Sequence, residues 1–320
     1  MHILMVAAEN DALAGGKVGG IGDVVRDVPL ALAGLGHRVE VLTPGYQAFS
    51  KLPGAKSCGS FGVEFQGKRE QVEIFEVPGK KSTQVRNLVF EHRMFAIGGQ
   101  GVIYHNDTEQ PFASDARKFA LFNAAVAAAI CEGLLDTPDV IHLHDWHAAI
   151  VAVLRSFDAR YQALKSIPTV FTIHNLALQG IRPLRDDESS LKHWFPSLKY
   201  DQSTVADPRY TDCFNPMRAG INLCDKVHAV SPTYANEIVK PSDYERGFFG
   251  GEGLELDLQR AQQEGRLVGI LNGAEYPSRK QKPPGIKALL DLCDAALMNW
   301  MAKSASVESA HQIAAMRIAA

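Results

Sequence analysis

The sequence has no apolar run approaching the roughly 20 residues that a membrane-spanning helix needs. Its opening, MHILMVAAEN, has neither the basic start nor the long apolar core of a signal peptide. It has no excess of positive charge: 33 Lys and Arg stand against 36 Asp and Glu, formally −3. That balance removes binding to nucleic acid or to an anionic membrane as a main function. It has no CxxC pair, and its five cysteines (Cys58, Cys131, Cys213, Cys224, Cys293) are odd in number and far apart. A disulfide framework or zinc knuckle is therefore not expected, and reduced thiols in a cytoplasm are. What is present is a 320-residue chain, 46% hydrophobic and 22% charged. This is enough for one large or two modest globular domains and too apolar for global disorder.

Residues 2–8 form a short apolar run, followed by the glycine-rich stretch Gly15-Gly16-Lys17-Val18-Gly19-Gly20-Ile21-Gly22-Asp23. A helical pattern then puts Val24, Val28, Leu32 and Leu35 on one face with Gly36 as its stop, and residues 37–42 read as a second strand. Strand, glycine loop, helix and strand make a βαβ opening. The predicted class is α/β, a Rossmann-like parallel sheet with flanking helices and its binding edge at the strands' carboxyl ends. Two alternating runs within 61–77 meet at Gly67-Lys68 as an inserted β-hairpin. After a polar loop at 104–111, the alanine-rich stretch 116–135 is helical, as is 147–161. Residues 139–144 and 168–174 read as strands, the second apolar enough to be buried on both faces. Strands at 226–231 and 267–271 complete the series, with Ser231 as N-cap of a helix opening at Pro232. Glu9, His144, His174, Ser231 and Asn272 then stand at strand ends, where they would line one crevice. Beyond Gly273 the character changes to a basic, proline-rich linker at 277–285 and two helices, 286–301 and 307–319.

Four local patterns carry chemistry. The glycine loop lets a ligand approach the backbone closely, and the helix after it offers N–H groups to an anion, so it reads either as a phosphate cradle or as a flexible turn. It is not a Walker A motif, because Lys17 precedes the second glycine pair and no Ser or Thr follows. In His142-Leu-His144-Asp145-Trp146-His147, strand alternation puts His142 and His144 on one face, which suits either a metal or a packed histidine set. His174-Asn175 at a strand end can hydrogen-bond a hydroxylated ligand or serve structure alone. Asn272-Gly273 is a turn pair tolerant of positive φ.

In order, Lys17 to Val25, His142 to His147, Thr169 to Gly180, Ala229 to Ala235 and Ile270 to Gly273, with Glu9 after the first strand, resemble bacterial glycogen synthases and plant starch synthases. The resemblance implies one half of a GT-B architecture. It also implies transfer of glucose from ADP-glucose to the non-reducing end of an α-1,4-glucan (glycogen or starch), with retention and with neither metal nor other cofactor. Lys17, Gly19, Gly20 and Asn175 would contact the donor, Lys17 at the diphosphate, where a cation also stabilises the leaving ADP. His174 and Asp145 would work at the reacting sugar. Glu9, Asp23, His144 and Asn272 would hold acceptor or sugar hydroxyls. The metal reading of His142, His144 and His147 recedes accordingly.

The resemblance runs from Met1 to about Gly273. The expected organisation is a Rossmann-like domain at 1–275 and a linker with helical tail at 276–320, the second GT-B domain being absent. The 320 residues would be a fragment or a short homologue with little turnover alone, since the family's second domain carries most donor contacts. Contacts from the loop before the long helix, here Glu109 to Asp115, are not transferred, because that segment departs from the family's tyrosine and Asp-Asn pattern. The rival readings are a noncatalytic glucan- or partner-binding module and a metallohydrolase using the histidine cluster.

Overall fold

The computed structural model describes residues 1–80, 84–273 and 285–303, with side chains described as far as 298. The chain divides into two compact units, Met1–Asn272 and Gly273–Ala320. In the first, β1 (His2–Val6), α1 (Gly20–Gly34) and β2 (Arg38–Pro44) are followed by β3 (Lys56–Phe65), β4 (Lys68–Glu76), β5 (Arg86–Glu91) and α2 (Ala113–Cys131). Then come β6 (Val140–His144), α3 (Ile150–Phe157), β7 (Thr169–Ile173), β8 (Arg182–Pro183), α4 (Leu191–Trp194), α5 (Gln202–Val205) and β9 (Cys213–Phe214). The unit closes with α6 (Pro216–Leu223), β10 (Lys226–Ala229), α7 (Pro232–Glu237), α8 (Glu255–Gln263) and β11 (Leu267–Gly269). In the second unit, α9 (Ile286–Lys303) is the first expected tail helix. The second tail helix, at 307–319, and the linker up to 284 lie outside the described residues.

Nine strands form one sheet in the order β11-β10-β7-β6-β1-β2-β5-β4-β3, and β8 pairs with β9 separately. Every neighbouring pair from β11 through β5 is parallel; β4 and β3 extend the sheet antiparallel. The expected hairpin is therefore present. Its turn residues Gln66 and Gly67 both have positive φ, as a two-residue turn matching strand twist requires. The sheet is buried on both faces: β1 sends Leu4 and Val6 into the larger core and Ile3 and Met5 into a smaller one with Val25, Val39 and Val41. Because α2 lies in the larger core, it is buried on nearly every side. Its alanine-rich composition allows that close approach, and no amphipathic stripe is needed.

Two expectations shift. Helix α1 opens at Gly20; of the predicted face Val28 and Leu32 pack against the smaller core, but its buried residues are Gly22, Val25 and Pro29, and Leu35 is 75% exposed at the C-cap. Gly22 lies close against Glu9 and Lys17, and Val25 packs in the smaller core beside the sheet. The helix expected over 147–161 is regular only in α3 and continues as tighter turns over Ala159–Ser166. Ser231 does cap α7, accepting from the Tyr234 N–H. Among the described residues no helix is long and apolar enough to cross a membrane.

Candidate functional site

Strand order reverses at β1, with β2 on one side and β6 on the other, and a cleft of about 640 Å³ opens at the carboxyl ends of these strands. Both its size and its place are those of a ligand site in an open α/β sheet. Glu9, leaving β1, is buried against the cleft. Its Oε2 accepts from the backbone N–H groups of Val18 (2.8 Å) and Gly19 (2.7 Å), and its Oε1 accepts from the Tyr104 hydroxyl (2.8 Å). One carboxylate thus folds the glycine loop over the sheet edge. Gly16 is the position where only glycine fits, since a Cβ there would lie 2.0 Å from the Asn10 carbonyl oxygen. With Val18 and Gly19 engaged by Glu9, the N–H groups of the first turn of α1, at Gly20 and Ile21, remain beside the cleft.

At the end of β6, Asp145 has φ 55°, a left-handed backbone that Asp tolerates better than most residues. Its Oδ1 accepts from the His174 N–H at 2.8 Å, tying β6 to the chain leaving β7. Burial pushes the Asp145 carboxyl up to about 7, with Glu9 adding to it and the His174 and Asn175 N–H groups opposing. His174 lines the cleft beside it. Burial first, then the nearby His228, pushes its imidazole down to about 4, so it is neutral at pH 7. Asn175 uses Oδ1 to accept from the Ala177 N–H (2.9 Å), which leaves its amide N–H groups for a ligand. The following turn is fixed by Gln179, which donates to the Leu176 and Glu252 carbonyls, and by Tyr234, whose hydroxyl accepts from the Leu176 N–H.

The loop at 104–112 forms the opposite wall and was missed by sequence reasoning. Tyr104, His105, Asn106, Asp107 and Phe112 all line the cleft. The loop is pinned to the start of α2. Asp107 accepts from the Ser114 N–H and hydroxyl, Asp115 accepts from the His105 N–H, and the fully buried Lys118 pairs with Asp115 at 2.7 Å. The polar run Tyr104-His-Asn-Asp107 was the available signal. Trp146 forms part of the wall, with Phe112 and Phe119 edge-on to it at 5.7 and 5.5 Å.

Of the residues expected at the site, Glu9, Gly19, Gly20, Asp145, His174, Asn175 and Asn272 come together in this lining. Three do not. Lys17, 44% exposed in its side chain, stands outside the lining and donates to Asp23 Oδ2 at 2.5 Å. Asp23, on the first turn of α1, is held by that lysine and by Arg26 at 3.1 Å. His144 is 0% exposed, lying between the His142 and His174 imidazoles. Ser231, bound to its capping role, yields its place at the cleft to Val230.

The histidine cluster does not converge. His142 and His144 stack at 4.2 Å, while His147 packs among Tyr104, Phe119 and Trp146. Among the described residues no three His, Cys, Asp or Glu side chains are arranged to hold a metal. The cleft thus offers amide donors, neutral imidazole, carboxylates and an aromatic wall, and among the described residues no Lys or Arg lines it. Such a surface suits a hydroxyl-rich ligand; a diphosphate would need cations from elsewhere.

A family model described as starch synthase catalytic domain matches residues 2–260. The chain is 37% identical over 278 residues to a glycogen synthase of Gloeobacter violaceus, covering 85% of this chain and 49% of that protein. It is 34% identical over 280 residues to a glycogen synthase of Streptococcus gordonii, covering 86% and 52% respectively. The solved catalytic domain of starch synthase IV from Arabidopsis thaliana, bound to ADP and acarbose, superposes with a TM-score of 0.69 at 25% identity, covering 96% of this chain and 60% of that one. The chain spans about half the length of these curated relatives.

Proposed function

The chain belongs to the family of starch synthase catalytic domains, and on that premise we propose that it is the acceptor-facing half of a glucan synthase. The whole synthase transfers glucose from ADP-glucose to the non-reducing end of an α-1,4-glucan, with retention. The observation that carries this reading is the meeting of Gly19, Gly20, Asp145, His174, Asn175 and Asn272, scattered along the chain, in one cleft. In this reading His174 and Asp145 act at the reacting sugar. Glu9 acts indirectly, by holding the glycine loop, and Lys17 exchanges Asp23 for the donor diphosphate, where its charge stabilises departing ADP. Asn272 and the aromatic wall around Trp146 hold the glucan. The five cysteines are all free, which agrees with the proposed cytoplasmic setting.

Catalysis needs groups oriented from both sides of the transferred sugar. The chain alone should therefore turn over little, and most donor contacts should come from sequence that the longer relatives have in addition. The test is incorporation of radiolabelled glucose from ADP-glucose into glycogen. The whole synthase containing this chain should incorporate label, and the chain alone should fall at least a hundredfold short. Absence of incorporation by the whole synthase would sink the reading, and equal activity of the chain alone would sink the division of labour.

A further inference from the structure

His144 does not line the cleft, but it touches His174, which does. The Nδ1 of His144 lies 3.0 Å from the Nε2 of His174, and the two rings stack at 5.3 Å. The other nitrogen of His144, Nε2, is buried and has no partner among the described residues. A neutral imidazole has a single N–H. Were it at Nε2 of His144, a donor would be buried without an acceptor, which folded proteins avoid more strictly than an unused lone pair. A doubly protonated ring would have the same orphaned donor and a buried charge besides, and burial pushes this imidazole well below its usual range. The proton of His144 therefore sits on Nδ1 and the hydrogen bond runs from His144 to His174.

The neighbouring imidazoles support the assignment. His228 Nε2 lies 3.4 Å from the Ile270 carbonyl, which can only accept, so His228 Nδ1 must accept from the Thr172 hydroxyl at 2.9 Å. Thr172 Oγ1 then accepts from His142 Nε2 at 2.6 Å. His142, so fixed, stacks on His144 at 4.2 Å and holds its ring plane. Among the described residues no group is left to serve Nε2 of His144.

We propose that His144 is a positioning residue that holds His174 in its Nδ1–H tautomer, aiming a neutral hydrogen-bond donor into the cleft. With Nε2 of His174 accepting from His144, its only N–H is at Nδ1, on the ring that lines the cleft. This rests on the sugar-binding reading for what it meets there: an oxygen of a glucosyl hydroxyl, received by a donor that has no charge to lose or gain near pH 7.

The test is nitrogen NMR of the histidine-labelled, unliganded chain, which separates Nδ1–H from Nε2–H imidazole, with His174 assigned through His174→Gln. Wild type should show His174 as Nδ1–H. His144→Leu should lose that signature in favour of Nε2–H, the form that free histidine side chains prefer in water. His144→Asn, whose amide N–H can replace Nδ1–H, should restore it. An Nε2–H signal for His174 in the wild type overturns the proposal even if no His144 variant folds, as does an unchanged tautomer in a folded His144→Leu. Because the tautomer is read without sugar, a failed glucose-incorporation assay would count against the proposed function and not against this assignment.

Discussion

Asp145 sits at the end of β6 with a carboxyl raised from 3.8 to about 7, chiefly by burial. Between those two values the folded chain holds a proton that the unfolded chain has lost, so this group's contribution to stability falls as pH rises through that window. Asn at this position keeps the acceptor for the His174 N–H and tolerates the left-handed backbone. Asp145→Asn should therefore raise the melting temperature at pH 8, with the gain shrinking towards pH 4. Parallel melting curves for variant and wild type across that range would refute the raised pKa. Lys17 poses the opposite case: its pair with Asp23 is exposed and adds little stability. Lys17→Ala should leave Tm unchanged yet lower kcat/KM for ADP-glucose in the whole synthase by about ten- to hundredfold, the worth of one charge-assisted phosphate contact. An unchanged kcat/KM removes Lys17 from the site. Strand-end position was enough to bring Glu9, His174 and Asn272 to the cleft from sequence, whereas Asp145 came from the resemblance. It did not separate His144, buried between two other imidazoles, from His174, which lines the cleft, because alternation gives the face of a side chain and not its depth.

Among the elements, the turn after β7 depends on one backbone position. Gly180 has φ 68°, and a Cβ there would lie 2.2 Å from the Trp146 ring, which Phe112 and Phe119 prevent from retreating. Gly180→Ala should cost about 1–3 kcal/mol through overpacking, with strain added by the positive φ. Urea denaturation would register this as a lower midpoint with an unchanged slope, and an unchanged midpoint would show that the turn can yield. Hydrophobic period and turn chemistry made the parallel strands, the hairpin and the Ser231 cap legible. The wall at 104–112 was not, since a polar loop has no period and its place is decided by distant partners on α2 and by Glu9. The buried positions of α1 are a similar case: Gly22 lies close against Glu9 and Lys17, a contact that the helix's own sequence does not record.

For the molecule as a whole, the proposed division of labour gives a binding signature. A maltooligosaccharide should bind the chain in isothermal titration with little dependence on salt, whereas ADP, facing Glu9, Asp107, Asp115 and Asp145 with no lining cation among the described residues, should bind at least tenfold more weakly than it binds the whole synthase. Equal ADP affinity for both would show that the donor site is complete in this half. The cleft is assembled from Glu9 after the first strand, Asp145 and His174 near the middle, and Asn272 after the last strand. Asn272 is held there by its N–H donating to the Val230 carbonyl at 3.3 Å. A ribosome must therefore release the chain beyond β11 before a complete cleft can form, although the first βαβ unit can pair much earlier. In the proposed reading, a sugar bound there would seal the finished sheet, fastening its earliest strand to the last strand of the first unit, so that occupancy opposes their separation.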